Sequence, residues 1–269
     1  DMAELTVPYV NESKLVMISP TIALPSLTGI DDYFFRVIPS TKEMAERIAQ
    51  EIVEQKLNRV QIVYSEQNKV FATFITEALV NGLAGSDIVA ETLEPMKTGD
   101  THVDYTPYVD QIMTSDARGL VVIASAYTVS ELAQALYLEG CDKKVFLPPW
   151  AMTNDLIKKG GPAVENYYGI NFVDFESQES AYVTFKERYI AKYGDEPTFS
   201  SILSYEATQV LIEAMKNSKG SKGEAIKNEI VSQSVYQGLQ GTLNINPQGD
   251  IQRDIFLYQI KDGQFKKVD

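Results

Sequence analysis

The sequence predicts an α/β protein built on parallel sheet, and three observations carry the prediction. Between Thr41 and Asn154, apolar runs of strand length alternate with stretches whose apolar residues recur at helical spacing. The run Leu120–Ala124 is almost wholly apolar, as expected of a strand covered on both faces. Gly119 to Asn154 then reads as one complete strand-helix-strand unit, which by its connection should be parallel and right-handed. In open parallel sheets, ligands bind beyond the carboxyl ends of the strands. In this unit those ends are Ser125-Ala126-Tyr127 and Pro149-Trp150-Ala151, so a site should include them.

The elements follow in order. Residues 2–10 have helical character, and Leu15–Ile18 is a short apolar strand running into Ser19-Pro20-Thr21-Ile22-Ala23. Tyr33–Ile38 alternates as a strand does. Ser40-Thr41 is an N-cap pair for a helix through Gln55 that buries Met44, Ile48 and Ile52. Val60–Tyr64 is a strand with a turn at Ser65–Asn68, and the next helix sets Phe71, Phe74, Ile75 and Leu79 at core spacing. After a strand at Ile88–Leu93, Thr106-Pro107 offers an N-cap threonine with proline at the first helical position. In the central unit, Leu132, Ala135, Leu136 and Leu138 mark a helix that ends at Gly140, a residue tolerant of positive φ. Val145–Leu147 and Tyr168–Phe172 are strands; helices follow from Phe175 to Tyr193, Ser200 to Lys216 and Glu224 to Ser232. Tyr205 is assigned to the core face of the second of these. The tail reads as a strand, a Gly249-Asp250 turn, a strand at Ile255–Ile260 and a turn at Asp262-Gly263.

With 269 residues, 44% of them hydrophobic, the chain can bury a sizeable core in one large or two smaller domains. A net charge of −13 argues against a nucleic-acid partner and against an anionic membrane surface. No apolar run approaches the roughly 18 residues of a membrane span, so no membrane insertion is expected. Single Cys141 and single His102 exclude an internal disulfide, a cysteine-rich metal site and a histidine-based triad. Asp31-Asp32 and Asp104 with Asp110 are carboxylate pairs of a kind common on acidic surfaces, with Asp104 placed to support the helix start at Thr106. Gly160-Gly161-Pro162 lacks the phosphate-loop pattern. The residues therefore predict no enzyme, no cofactor and no metal.

Four stretches together carry a resemblance: Met17–Thr28 (MISPTIALPSLT); Phe35-Arg36-Val37-Ile38-Pro39-Ser40; Tyr205, Ala207, Leu211 and Ala214; and Gly241, Gly249-Asp250 and Gly263-Gln264-Phe265. In this order and spacing they resemble the type I periplasmic solute-binding proteins, similar to the leucine/isoleucine/valine-binding proteins of ABC importers. The resemblance covers essentially the whole chain. It implies two doubly wound parallel-sheet lobes joined by crossover strands, with residues 1–38 and 175–235 a partial lobe one, 39–174 and 236–250 lobe two, and 251–269 a crossover and tail. Relatives carry further strands of lobe one ahead of the point where this sequence begins, so lobe one is expected to be incomplete.

The resemblance also implies site residues. Relatives meet an amino-acid ligand with a backbone carbonyl and a threonine hydroxyl of the loop after ISP; here those places hold Ile22 and Ala23, with Thr21 beside them. Where relatives carry an acid for the ligand's ammonium, this chain has Trp150. Burying an ammonium without a counter-charge costs several kcal/mol, whereas an indole face suits a planar ligand or a quaternary cation. A packing or hinge role for Trp150 is the alternative. Lys69 falls near the place of a lid aromatic, competing with Tyr64 at the strand end and with a plain solvated role. Ser125, Ala126 and Tyr127 occupy the region of a ligand-covering tyrosine, ahead of a helix whose N–H groups favour an anion. Phe199 and Ser200 match an apolar contact region.

The expected function is that of a monomeric solute-binding protein, periplasmic or extracellular, with a lipid anchor as an option and a signal peptide in its precursor. It would capture a small molecule, a planar carboxylate or an amino-acid-like one, by hinge closure, and deliver it to the membrane permease of an ABC importer. A ligand-sensing domain of a receptor or amide-responsive regulator is the alternative, and an enzyme on the same scaffold a third.

Overall fold

The computed structural model describes residues 2–98, 103–220 and 222–268. His102 lies outside the described residues. The chain divides into two compact units, Asp1–Ser40 with Phe172–Asp254, and Thr41–Asn171 with Ile255–Asp269. It therefore passes from one unit to the other three times.

The first unit begins with α1 (Met2–Glu12), β1 (Met17–Ser19) and β2 (Phe34–Arg36). The second takes α2 (Thr41–Glu54), β3 (Arg59–Tyr64), α3 (Lys69–Leu83), β4 (Val89–Thr92), α4 (Thr106–Thr114), β5 (Gly119–Ile123), α5 (Ala126–Leu138), β6 (Lys144–Leu147), α6 (Asn154–Gly160) and β7 (Tyr168–Asn171). The chain returns to the first with α7 (Ser180–Tyr193), α8 (Phe199–Asn217), α9 (Gly223–Gln233), β8 (Val235–Gly238), β9 (Gly241–Ile245) and β10 (Ile251–Gln252). It ends in the second with β11 (Phe256–Lys261) and β12 (Gln264–Val268).

The second unit is organised by one seven-stranded sheet in the order β12-β11-β7-β6-β5-β3-β4. β4-β3-β5-β6-β7 pair in parallel, while β11 joins β7 and β12 joins β11 antiparallel. All five residues of β5 are buried, which is why its sequence shows no polar alternation. Helices cover it: α3 buries Ala72, Ile75 and Leu79 and packs on α2, while α5 buries Leu132, Ala133 and Leu136 and packs on α6. Gly140 ends α5 at φ 72°; its N–H donates to the Tyr137 carbonyl and the Cys141 N–H to the Leu136 carbonyl, both at 3.0 Å. Gly169 in β7 is needed for space, since a Cβ there would lie 2.0 Å from the Met152 sulfur.

In the first unit β1 pairs in parallel with β2, and β8, β9 and β10 form a three-stranded antiparallel sheet. Buried charge ties these pieces together. Arg36, 1% exposed, pairs with Asp250 at 2.6 Å and donates to the Leu24 carbonyl and the Thr28 hydroxyl at 3.1 and 2.6 Å. Glu206, also 1% exposed, pairs with Arg253 at 2.5 Å and accepts the Leu239 N–H at 2.9 Å.

Several sequence expectations need correction. Residues 236–250, assigned above to lobe two, lie in the first unit, because β8–β10 pair only with one another. The 251–269 tail is divided: β10 stays with the first unit, and β11 and β12 extend the sheet of the second. Helix α7 starts at Ser180, not at Phe175, whose ring packs instead against the buried cluster of Val173, Tyr182, Ile202 and Leu239. Tyr205, expected in the core, is 41% exposed, its ring 4.8 Å from that of Phe185. The cap of α4 is Tyr105, with Asp104 accepting the Thr106 N–H at 3.0 Å as anticipated.

Candidate functional site

The parallel strands of the second unit, taken in chain order, stand 2-1-3-4-5, with β3 the first of them. Their order reverses between β3 and β5, and in such a sheet the crevice for a ligand opens beyond the carboxyl ends of the two strands flanking the reversal. Tyr64 and Ile123, the last residues of β3 and β5, are register partners there, so Tyr64, Ser65, Ser125 and Ala126 are brought to one place.

Each of these residues is held by local chemistry. The Ser65 hydroxyl accepts the Gln67 N–H at 3.1 Å and bonds the Thr98 hydroxyl. Ser125 caps α5: its hydroxyl accepts the Thr128 N–H at 3.3 Å and lies 3.1 Å from the Thr128 hydroxyl. Ala126 is buried, and the positive end of the α5 dipole lies at this corner. Trp150 sits in a single turn, Pro149–Ala151, immediately after β6. Half-buried, it meets the Phe71 ring edge-on, centroids 6.1 Å apart and planes at 85°. Such an edge-on pair is a favourable aromatic contact that packs the indole against α3.

Tyr127 is 54% exposed, with the Lys159 ammonium 5.2 Å from its ring centre. A hydrogen bond to Glu131 raises its phenol pKa. Tyr105 donates to the same carboxylate at 2.9 Å, and burial together with that bond raises its pKa too. Both phenols therefore stay protonated, neutral donors. Lys69 opens α3 and is exposed.

The remaining expected residues belong to the first unit. The Ser19 hydroxyl accepts the N–H groups of Thr21 and Ile22 at 3.3 and 3.0 Å, fixing the loop after β1. Thr21 is exposed, Ile22 half-buried and Ala23 only 5% exposed. The Ile22 carbonyl accepts no hydrogen bond among the described residues. Phe199 opens α8 with its ring edge-on to Phe172 at 6.3 Å and packed against the buried cluster, and the Ser200 hydroxyl is 2.8 Å from that of Thr198.

Sequence reasoning missed Phe71 as the brace of Trp150, the Tyr105–Glu131 bond and the Ser19 anchor. The Ser19 anchor is local, its hydroxyl meeting N–H groups two and three residues on, so the sequence offered a signal for it; the Phe71 brace and the Tyr105–Glu131 bond are contacts across elements. Among the described residues no group of three or more metal-ligating side chains occurs, and no helix is long and apolar enough to cross a membrane.

A family model described as periplasmic binding protein matches residues 1–264. The chain belongs to the periplasmic binding protein family. Comparison with curated proteins returns no match. Among solved structures of similar fold is a leucine binding protein from Thermotoga maritima, with a TM-score of 0.87 at 20% identity over 98% of this chain and 75% of that one. A solute-binding protein of an R. palustris ABC transporter, in complex with benzoate, gives a TM-score of 0.86 at 12% identity over 99% of this chain and 73% of that one. A branched-chain amino acid substrate-binding protein from Streptococcus pneumoniae, in complex with isoleucine, gives 0.82 at 17% identity over 97% and 75%. At these identities the likeness is one of fold, and it agrees with the alternation of strand and helix on which this periplasmic binding protein is built.

Proposed function

We propose that the protein is the solute-binding component of a branched-chain-amino-acid-type ABC importer, working outside the cytoplasmic membrane as a monomer and handing its ligand to a membrane permease. The ligand is a small organic acid, planar or aromatic, recognised beyond the carboxyl ends of β3, β5 and β6. Trp150 carries this reading. At the place where the resembling proteins hold an acid for an ammonium, this chain presents an indole packed edge-on against Phe71. The capped start of α5 at Ser125 supplies N–H groups for a carboxylate. The Thr21–Ala23 loop is a further candidate for ligand contact, and the three places where the chain passes from one unit to the other are candidate hinges.

Trp150 is the only tryptophan, so its emission reports its own surroundings. Titration of the ligand-stripped protein with benzoate is expected to give a saturable change, and leucine none. Tight binding of leucine with no response to benzoate would reject the planar-carboxylate reading, because another group would then meet the ammonium.

A further inference from the structure

One cavity of the second unit lies away from the switch point. It opens at the opposite end of the sheet, beside the amino ends of β6 and β7, with a volume of about 820 Å³. Ligand pockets commonly measure roughly 300–1,000 Å³. A smaller cavity of about 280 Å³ adjoins it and shares Cys141, Asp142 and Lys143.

Most charged groups in its wall are already engaged. The Lys143 ammonium is bound by the carbonyls of Ser115, at 2.9 Å, and Ala117; the Lys144 ammonium is bound by the Gln55 side-chain oxygen. The Glu165 carboxylate accepts the N–H groups of Asp262 and Gly263 at 2.8 and 3.4 Å. What remains for an occupant is more apolar than polar, with Ile157 and the ring of Tyr168 in the wall, and Tyr168 is itself stacked on Phe146 at 5.6 Å. The Tyr167 hydroxyl makes no hydrogen bond among the described residues. Burial, and secondarily Cys141, raises its pKa, so it stands as a protonated donor. An occupant matched to this wall has an apolar body, no net charge and one hydrogen-bond acceptor.

From this we infer that the cavity between Cys141 and Tyr167 is a second small-molecule site, for a neutral, largely aromatic compound whose acceptor meets the Tyr167 hydroxyl. It is separate from the switch-point site, although α5 and β6 run between the two.

The test uses prodan, a neutral fluorescent naphthyl ketone. Saturable binding at one equivalent per chain is expected. Cys141→Trp, which puts an indole into the mouth of the cavity, should weaken it at least tenfold, and Tyr167→Phe roughly threefold to tenfold, as for one lost hydrogen bond. Prodan should also slow alkylation of Cys141, the only cysteine, by iodoacetamide in the native chain, a readout that needs no variant. Absence of binding, or an alkylation rate that prodan leaves unchanged, overturns the inference. Loss of prodan binding in Trp150→Phe alone would place the dye at the strand carboxyl ends, overturning this site while leaving the proposed function standing.

Discussion

The two units of this protein are held together by different means. In the second, apolar packing dominates: Val60, Ile62 and Val63 of β3 and Leu120 to Ile123 of β5 are at most 2% exposed on a continuous seven-stranded sheet, with Gln61 and Glu51 among the unit's buried polar groups. In the first, paired charges tie distant segments, Arg36 to Asp250 and Arg253 to Glu206, with the Leu24 carbonyl and Thr28 hydroxyl also accepting from Arg36 and the Val37 carbonyl from Arg253. Apolar packing degrades gradually and repacks. A buried ion pair fixes one geometry and punishes the loss of either member. A unit assembled from segments far apart in sequence gains positional definition from such pairs: Arg36 reaches Asp250, and Glu206 reaches the backbone of Leu239.

The contrast can be broken by substitution, most sharply in the first unit. Glu206→Ala leaves the Arg253 guanidinium buried and unpaired and the Leu239 N–H without its acceptor, a loss of about 3–5 kcal/mol in urea unfolding. If the first unit relied on packing alone, the loss would be near zero. Leu79→Ala opens a cavity under α3 and should cost about 2–5 kcal/mol, with hydrogen exchange rising in β3–β5 of the second unit. Ser125→Ala removes the cap of α5 and is expected to cost about 1 kcal/mol; it should also weaken benzoate binding more than it weakens folding. The smallest effect is one of pH. Tyr33, whose hydroxyl donates to Glu224, has its pKa raised to about 12, chiefly by that bond. A raised phenol pKa means that the folded state holds the proton more tightly. Its contribution is therefore complete below pH 10 and lost as pH rises from about 10 to about 12. Tyr33→Phe should flatten that decline, measured as unfolding midpoint against pH.

The second unit was largely legible because its signals are local. Apolar runs such as Leu120–Ala124 announce buried strands, Gly140 announces the end of α5, and their alternation leaves few topologies. The first unit was less so. The hairpin of β8 and β9 alternates like any hairpin, and nothing in Val235–Ile245 tells which unit it joins; that is decided by partners distant in sequence. Phe175 looked like a helix start but is claimed by the cluster around Tyr182, while Asp174 and Gln240 bond each other across the loop. Of the candidate site, the positions of Ser125 and Trp150 at strand carboxyl ends were legible in the sequence. Phe71 and Glu131 were not, because a brace or a shared carboxylate is a relation between elements.

The pairing of β11 with β7 has a consequence for how the molecule is made. Phe256 lies opposite Asn171, so everything from β7 to β10 must be synthesised before β7 acquires that neighbour. Until then β7, with buried Ile170, offers an open backbone edge on which a wrong strand can add. Completion of the second unit's sheet therefore waits until the chain through β11 has been translated.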